Sequence, residues 1–403
     1  MRLLVFISCC FIAFYAQAQK ITLSARVQDN LTSEPLPFAS VGIKGKSTGT
    51  IANLQGEFDF HFPNEYRNEI LVISMLGYEN FEAPIWSILE SKLTIIPMTR
   101  STTMLNEVEV RDSLNGGEIL RIALGKIEQN FPMKPFMMEG FYRDVKAVGG
   151  TYIALLEAAV QIYDESYAEP RNKSKLRERV KLLEVRKSLG YDNKFTAYFG
   201  QRNLLEDLLL HNNIRYRQIE MAEELFDNTK REKDSYYNGH EIFVVTNTNE
   251  FFLKVFIDKS DYAITHLQFE IGGDNNEKRK NLTSKYVTYK KTIDFKRYNG
   301  KMYLNYITVE SKEKWYDESD DTQLKFETSI EQHLLINEVH ANTTERIGST
   351  EKMRNYGLQY QDYPYNKAFW DNYNVIKETP IDQRILEDLE KLTPLEKQFE
   401  DHQ

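Results

Sequence analysis

The run Gly49-Thr50-Ile51-Ala52-Asn53-Leu54-Gln55-Gly56-Glu57-Phe58 decides how the first quarter of this 403-residue chain is read. Gly49 and Gly56 permit positive φ in tight strand connections, Asn53 tolerates left-handed geometry, and Phe58 starts an alternation that fills a core. Working outward, Ile21, Leu23, Ala25 and Val27 alternate with Thr22, Ser24, Arg26 and Gln28, the pattern of a half-buried strand. Pro35 to Ile43, Glu57 to Phe62, Ile70 to Ser74 and Leu93 to Met98 read as further short strands. Gly77-Tyr78 reads as a bend followed by an aromatic plug. Strands at this spacing predict a small β-sandwich.

Four blocks recur in a telling order: Pro35-Leu36-Pro37-Phe38-Ala39-Ser40-Val41, then Gly49-Thr50 with Asn53, Gly56 and Phe58, then Ser74-Met75-Leu76-Gly77-Tyr78-Glu79, then Leu105-Asn106-Glu107-Val108-Glu109-Val110. The series resembles the carboxypeptidase-regulatory-like domain, a transthyretin-like sandwich of seven strands common in exported proteins of Gram-negative bacteria. Asn106 departs from that pattern, where an acidic residue is commoner. The resemblance implies structural roles for these residues and no chemistry. Outer-membrane nutrient receptors carry the same sandwich before a plug and barrel. No plug motif follows Val110, and the remaining residues are too few for a barrel of about 22 strands.

Aromatic content, 24 Tyr and 23 Phe against 3 Trp, favours strands and predicts a mainly β protein. Met1 to Ala18 has the form of a secretory leader: Arg2, an apolar stretch Leu3 to Tyr15, and Ala16-Gln17-Ala18 ahead of cleavage before Gln19. Both cysteines, Cys9 and Cys10, fall inside it, so the expected mature chain has no thiol for disulfides, catalysis or metal binding. Removing Arg2 leaves 50 basic against 60 acidic residues, a balance that argues against general nucleic-acid binding. Export also separates the protein from cytoplasmic nucleotides.

The chain divides at a polar connector, giving a leader (1–18), the sandwich (19–111), a linker with an amphipathic helix (112–135), an antiparallel sheet domain (136–345) and an aromatic, helical tail (346–403). Leu120, Leu124, Ile127 and Phe131 have helical spacing before Pro132. Phe136 to Ala147 and Thr151 to Tyr163 flank Gly149-Gly150 as a hairpin, although Ala154 to Val160 also suits a helix. Leu204, Leu205, Leu208 and Leu209 mark a short helix. Six strands follow as a meander: 241–246, 251–258, 263–271, 285–297, 301–312 and 323–338, with Asn299-Gly300 the clearest turn. The tract Phe252 to Phe269 is similar to the strand-turn-strand repeat of periplasmic lipoprotein-carrier-like half-barrels. The second domain is therefore expected to be a β-meander or half-barrel with flanking helices.

Candidate chemistry is sparse. Gly45-Lys46-Ser47 lacks the earlier glycine of a phosphate loop, that place being Ser40, and His240-Glu241 lacks a second histidine at helical spacing. No Gly-x-Ser-x-Gly elbow occurs. Asp258 with Asp261 and Asp320 with Asp321 fall at expected turns, where aspartates bond their own backbone. His211, His266, His333 and His340 lie on different elements. The most unusual feature is Arg171, Lys173, Lys175, Arg177, Arg179 and Lys181, basic at every second position. On a strand this puts six charges on one face, either a guarded edge or a surface for anionic lipid or an acidic partner. Tyr356, Tyr360, Tyr363, Tyr365, Trp370 and Tyr373 form either an aromatic platform or a plug for the sheet core. Asp112-Ser113-Leu114 resembles the acceptor sequence for periplasmic O-glycosylation, which implies a glycan on Ser113.

These readings lead to an exported, non-catalytic protein of the periplasm or either face of the outer membrane. It would bind or scaffold an envelope protein or outer-membrane component through the sandwich as adaptor, with no cofactor, metal, nucleotide or nucleic acid. A carrier sheltering an acyl chain in the curved sheet is the alternative, and an enzyme the third reading. An open apolar cavity on the sheet would favour the carrier.

Overall fold

The computed structural model describes residues 20–101 and 114–401, apart from 193, 200–203, 220, 275, 321, 354–356, 362, 378–379 and 392. The leader, the block Leu105 to Val110, Ser113, Asp321 and Tyr356 lie outside the described residues.

The described N-terminal strands are β1 (Lys20–Asp29), β2 (Ser40–Ile43), β3 (Gly49–Ile51), β4 (Glu57–Pro63), β5 (Ile70–Ser74), β6 (Phe81–Pro84) and β7 (Ile95–Met98). They form a three-stranded sheet, β4-β1-β7, facing a four-stranded sheet, β3-β2-β5-β6. The seven-stranded sandwich expected from sequence is thus the observed one. Period-two alternation does the work: Phe58, Phe60 and Phe62 are fully buried with Leu23, Ala25 and Val27 from β1, and Val41, Ile43, Leu71 and Ile73 come from the other sheet. Each such phenylalanine contributes about 1.5–3 kcal/mol relative to an exposed ring. A helix not read from the sequence, α1 (Ile85–Ser91), links β6 to β7 and buries Ile85 and Ile88.

The opening motif is correct in its consequence and wrong in two of its reasons. Gly56 has φ +74°, and a Cβ there would sit 2.2 Å from the Val27 carbonyl oxygen. Gly49 has no positive φ; it pairs with Gly42 across β2 and β3, and a Cβ would meet the Val41 carbonyl at 2.7 Å. Close approach selects glycine there. Asn53 is not left-handed either: its Oδ1 accepts from Gln55 N at 2.9 Å and Glu57 N at 2.8 Å, an Asx-type turn.

Beyond the connector, the strands are β8 (Phe136–Val148), β9 (Thr151–Asp164), β10 (Arg179–Lys187), β11 (Lys230–Arg231), β12 (Ser235–Tyr237), β13 (His240–Asn247), β14 (Phe252–Asp258), β15 (Ile264–Asp274), β16 (Lys278–Arg279), β17 (Leu282–Tyr298), β18 (Lys301–Asp317) and β19 (Leu324–Ala341). They join one open twelve-stranded sheet, whose main path runs β10-β9-β8-β19-β18-β17-β15-β14-β13-β11. The expected six-strand meander is the β13 to β19 part. The sheet is larger because β19 pairs back along its length with β8, from Thr328 opposite Val148 to Ala341 opposite Phe136. Gly149-Gly150 and Asn299-Gly300 both have two positive φ angles, the hairpin geometry that matches strand twist.

Both faces of this sheet are covered. One face carries α2 (Gly116–Gly125), α3 (Ile127–Asn130), α4 (Leu204–Leu210) and α5 (Glu223–Asp227), whose Ile119, Leu120, Leu205 and Leu208 join Tyr142, Val160, Val255 and Ile293 in the main core. Asn115 and Glu118 close a reciprocal capping box at the start of α2. Gly116 and Gly117, at the start of α2, bring it against the Lys230 and Phe226 backbones, where a Cβ would lie 2.4 and 2.2 Å away. The opposite face carries the sandwich and the tail: Phe141, Ala159, Tyr306 and Leu335 pack with Ile51, Trp370, Tyr373 and Ile376. Val145 and Leu155 there meet Ile385, Leu389, Leu395 and Phe399, from α7 (Pro380–Leu389) and α8 (Leu395–Asp401), which follow the short α6 (Lys367–Trp370). β8 and β9 are accordingly buried almost throughout, unlike strands of a sheet with one wet face.

Candidate functional site

The clearest concave site on the helix-covered face lies where β17, β18 and β19 run on past their shorter neighbours. A cleft of about 500 Å³ opens there beside α4. Asp207 and His211, four residues apart, face it with Glu277, Tyr289 and Glu313. Its floor is a buried polar network: Gln332 Nε2 donates to Tyr142 Oη at 3.0 Å and to the Leu204 carbonyl at 2.8 Å, and Tyr142 donates to Asp144 at 3.2 Å. Asp144 accepts from Lys146 at 2.7 Å, both side chains being 3% exposed or less.

Burial shapes the charges of this cleft. Glu313 is pushed up to about 7 by burial and by Glu277, against the pull of Arg279. Burial, helped by Lys291, pushes His211 down to about 4, so its imidazole is neutral at pH 7. Neutral and anionic acceptors beside a neutral imidazole and a phenol suit a hydrogen-bonding polar ligand. Among the described residues no group of three or more His, Cys, Asp or Glu is placed to hold a metal ion.

A raised carboxyl favours folding while protonated, a contribution complete below pH 4.5 and lost as pH rises through 7. Glu313→Gln is therefore expected to raise stability at pH 8 by about 1 kcal/mol, after allowance for partial exposure, and to add little near pH 4. Urea melts at the two pH values check this; parallel pH profiles for the two proteins would refute it.

On the opposite face Glu157, 2% exposed, sits between two arginines. Its Oε1 accepts from Arg143 Nε at 2.6 Å and its Oε2 from Arg186 Nε at 2.5 Å. Arg186 also stacks 4.4 Å from the Trp370 ring. A cleft of about 300 Å³ under α7 and α8 adjoins this group. The three charges are cross-strand neighbours, Arg143 and Arg186 both standing opposite Glu157. Their residue types were plain in the sequence, but nothing there fixed the register.

The basic series does not lie on one strand. β10 begins at Arg179, and residues 171–178 form a loop in which Asn172 caps Ser174 N and Tyr216 Oη accepts from Arg177 N. With backbone donors bound by side chains, no ladder forms and the period-two argument fails for the first four positions. Arg171, Lys173, Lys175 and Arg177 are exposed, Lys173 donating to the Arg217 carbonyl. Arg179 donates to the Ile347 carbonyl and Lys181 pairs with Glu351 at 2.9 Å.

The aromatic tail divides. Trp370 and Tyr373 are buried against the sheet, Tyr373 donating to the Gly140 carbonyl at 3.0 Å, and Tyr365 packs on Phe399. Tyr360 and Tyr363 are exposed. Asp258, Asp261 and Asp320 accept from backbone N–H groups two residues on, as turn aspartates do. The histidines face separate partners: His240 meets Asp258, His266 meets Asp294, and His333 lies between Tyr306 and Glu331.

A two-sheet sandwich fused to an open sheet is the class that this geometry defines, and residues 23–110 match the model of the CarboxypepD_reg-like domain family. A stretch of 108 residues that includes this N-terminal region is 34% identical to the TonB-dependent receptor SusC of Bacteroides thetaiotaomicron, covering 27% of this chain. The chain spans only 10% of that receptor's length. Among solved structures, lipovitellin, described in terms of lipid–protein interactions, is similar over 59% of this chain and 28% of its own, at 10% identity and a TM-score of 0.25. MucB in complex with periplasmic MucA is similar over 57% of this chain and 100% of its own, at 9% identity and a TM-score of 0.17. Such scores lie below those of a shared fold.

Proposed function

We propose that this is an exported protein of the cell envelope that binds a partner or polar ligand without catalysing a reaction. The observation that carries the reading is the CarboxypepD_reg-like match of residues 23–110, together with the receptor similarity over the same N-terminal region. In this chain the sandwich is held against a second, larger sheet. Phe38 stacks on Tyr306 at 5.8 Å, Gly77 N donates to the Tyr236 carbonyl at 2.7 Å, and His61 and Asn374 exchange hydrogen bonds at 2.7 and 3.0 Å. An adaptor role is supported by the exposed apolar side chains of the sandwich, Leu31, Trp86 and Ile95. The cleft of about 500 Å³ does not favour an acyl-chain carrier, since Asp207, Glu277 and Glu313 line it and the helices pack into the main core beside it.

Cell fractionation of a C-terminally tagged chain, with sequencing of its N-terminus, tests the reading. The expected result is recovery in the envelope fraction with Gln19 first. A cytoplasmic protein retaining Met1 would sink it.

A further inference from the structure

A third cleft, of about 390 Å³, lies where the sandwich meets the large sheet. Its walls are the β2–β3 turn, the β12–β13 turn and the end of β17. Four cations line it, Lys44, Lys46, Lys296 and Arg297, against one carboxylate, Glu82, in a chain whose net charge is −9. Three of the four are already matched. Lys44 pairs with Glu82 at 2.6 Å, Lys46 with Glu69 at 3.7 Å, and Arg297 with Asp258 at 3.2 Å and Asp261 at 2.8 Å.

Lys296 differs. Among the described residues its ammonium has no carboxylate or hydrogen-bond partner, and burial pulls it down to about 8. Its Nζ lies over the paired glycines Gly42 and Gly49, where an added Cβ would stand 2.5 and 3.2 Å from it. Side chains at those positions would push the ammonium away, so two glycines of the sandwich shape its seat. A withdrawn ammonium lacking a counter-charge is costly, and an anion entering the cleft would remove that cost. Asn80, also in the wall, donates its amide to Asn238 Oδ1 at 3.0 Å but leaves its own buried Oδ1 without a donor.

We propose that the junction cleft binds a small hydroxylated oxyanion, a carboxylate or phosphate ester, whose charge pairs with Lys296 and whose hydroxyl donates to Asn80 Oδ1. The ligand would then touch both the sandwich and the sheet, making their association sensitive to it. Glycine at positions 42 and 49 serves this seat as well as the strand pairing.

Thermal unfolding in rising concentrations of D-glucuronate and of inorganic phosphate, with neutral glucose as control, tests the site. The expected result is a saturable rise in Tm of about 3 °C with one or both anions and none with glucose. Lys296→Met, nearly isosteric and relieved of an unmatched charge, should fold, start from a higher Tm and lose the response. Lys44→Met should keep it, and Asn80→Ala should weaken glucuronate about tenfold, the worth of one hydrogen bond. A Lys296→Met protein that responds like the wild type would mean a bulk salt effect only, and an unresponsive wild type would equally overturn the site. A response to phosphate alone assigns a phosphate ester, and to glucuronate alone a sugar acid.

Discussion

Glu157→Gln is expected to lower folding stability at pH 7 by about 3–5 kcal/mol, because it leaves two guanidiniums without their counter-charge. Arg143 and Glu157 are 8% and 2% exposed and Arg186 17%, so solvent screens the unmatched charges only weakly. Burial alone would raise the Glu157 carboxyl, yet Arg186 and Arg143 hold it below its ordinary range. That stabilisation is present above the ordinary carboxylate pKa and disappears as pH falls through the lower folded value. Wild type should therefore lose stability in acid more steeply than the variant. Replacing all three charges with Leu, Met and Met should restore most of the loss, since the cost lies in the unmatched charges. Urea melts at pH 7 and pH 4 measure both effects; a single variant within about 1 kcal/mol of wild type would show that water reaches the site.

Ile51→Asp is expected to separate the sandwich from the large sheet. Ile51 is 1% exposed and lies among Phe141, Tyr306, Leu335 and Trp370, although it belongs to the sandwich strand β3. Losing the side chain costs about 2–5 kcal/mol and a buried carboxylate several more. The damage falls on the contact between the layers, because the sandwich core of Phe58, Phe60 and Phe62 does not include this residue. Calorimetry should change from one transition to two, with a red shift of tryptophan emission as Trp370, 4% exposed, meets water. Ile51→Val, at about 1 kcal/mol, is the control. A single, merely lowered transition would show that the two layers do not unfold apart.

The elements readable from sequence were those whose cause is local. Asn299-Gly300 and Gly149-Gly150 carry the positive φ angles of hairpin turns in their own residue types, and β13, β14, β15, β17, β18 and β19 were each marked by their own residues. The basic series from Arg171 to Lys181 shows the limit of such evidence. Its spacing is strand-like, but Tyr216 and Asn172 draw the backbone into a loop, and Tyr216 lies 39 residues beyond Arg177. The candidate sites were less legible still. Lys296 is one of several charges on a long strand, and only its docking over Gly42 and Gly49 makes it unusual.

Sequence alone determined the β-sandwich, the hairpins and the mainly β character, because glycine turns and period-two alternation act over a few residues. The tertiary structure decided that β19 returns to β8, that helices cover one face of the sheet while the sandwich and tail cover the other, and that Glu157 is buried and Lys296 and Glu313 partly so. Those outcomes depend on pairings between residues far apart in the chain, whose register and burial no local pattern encodes.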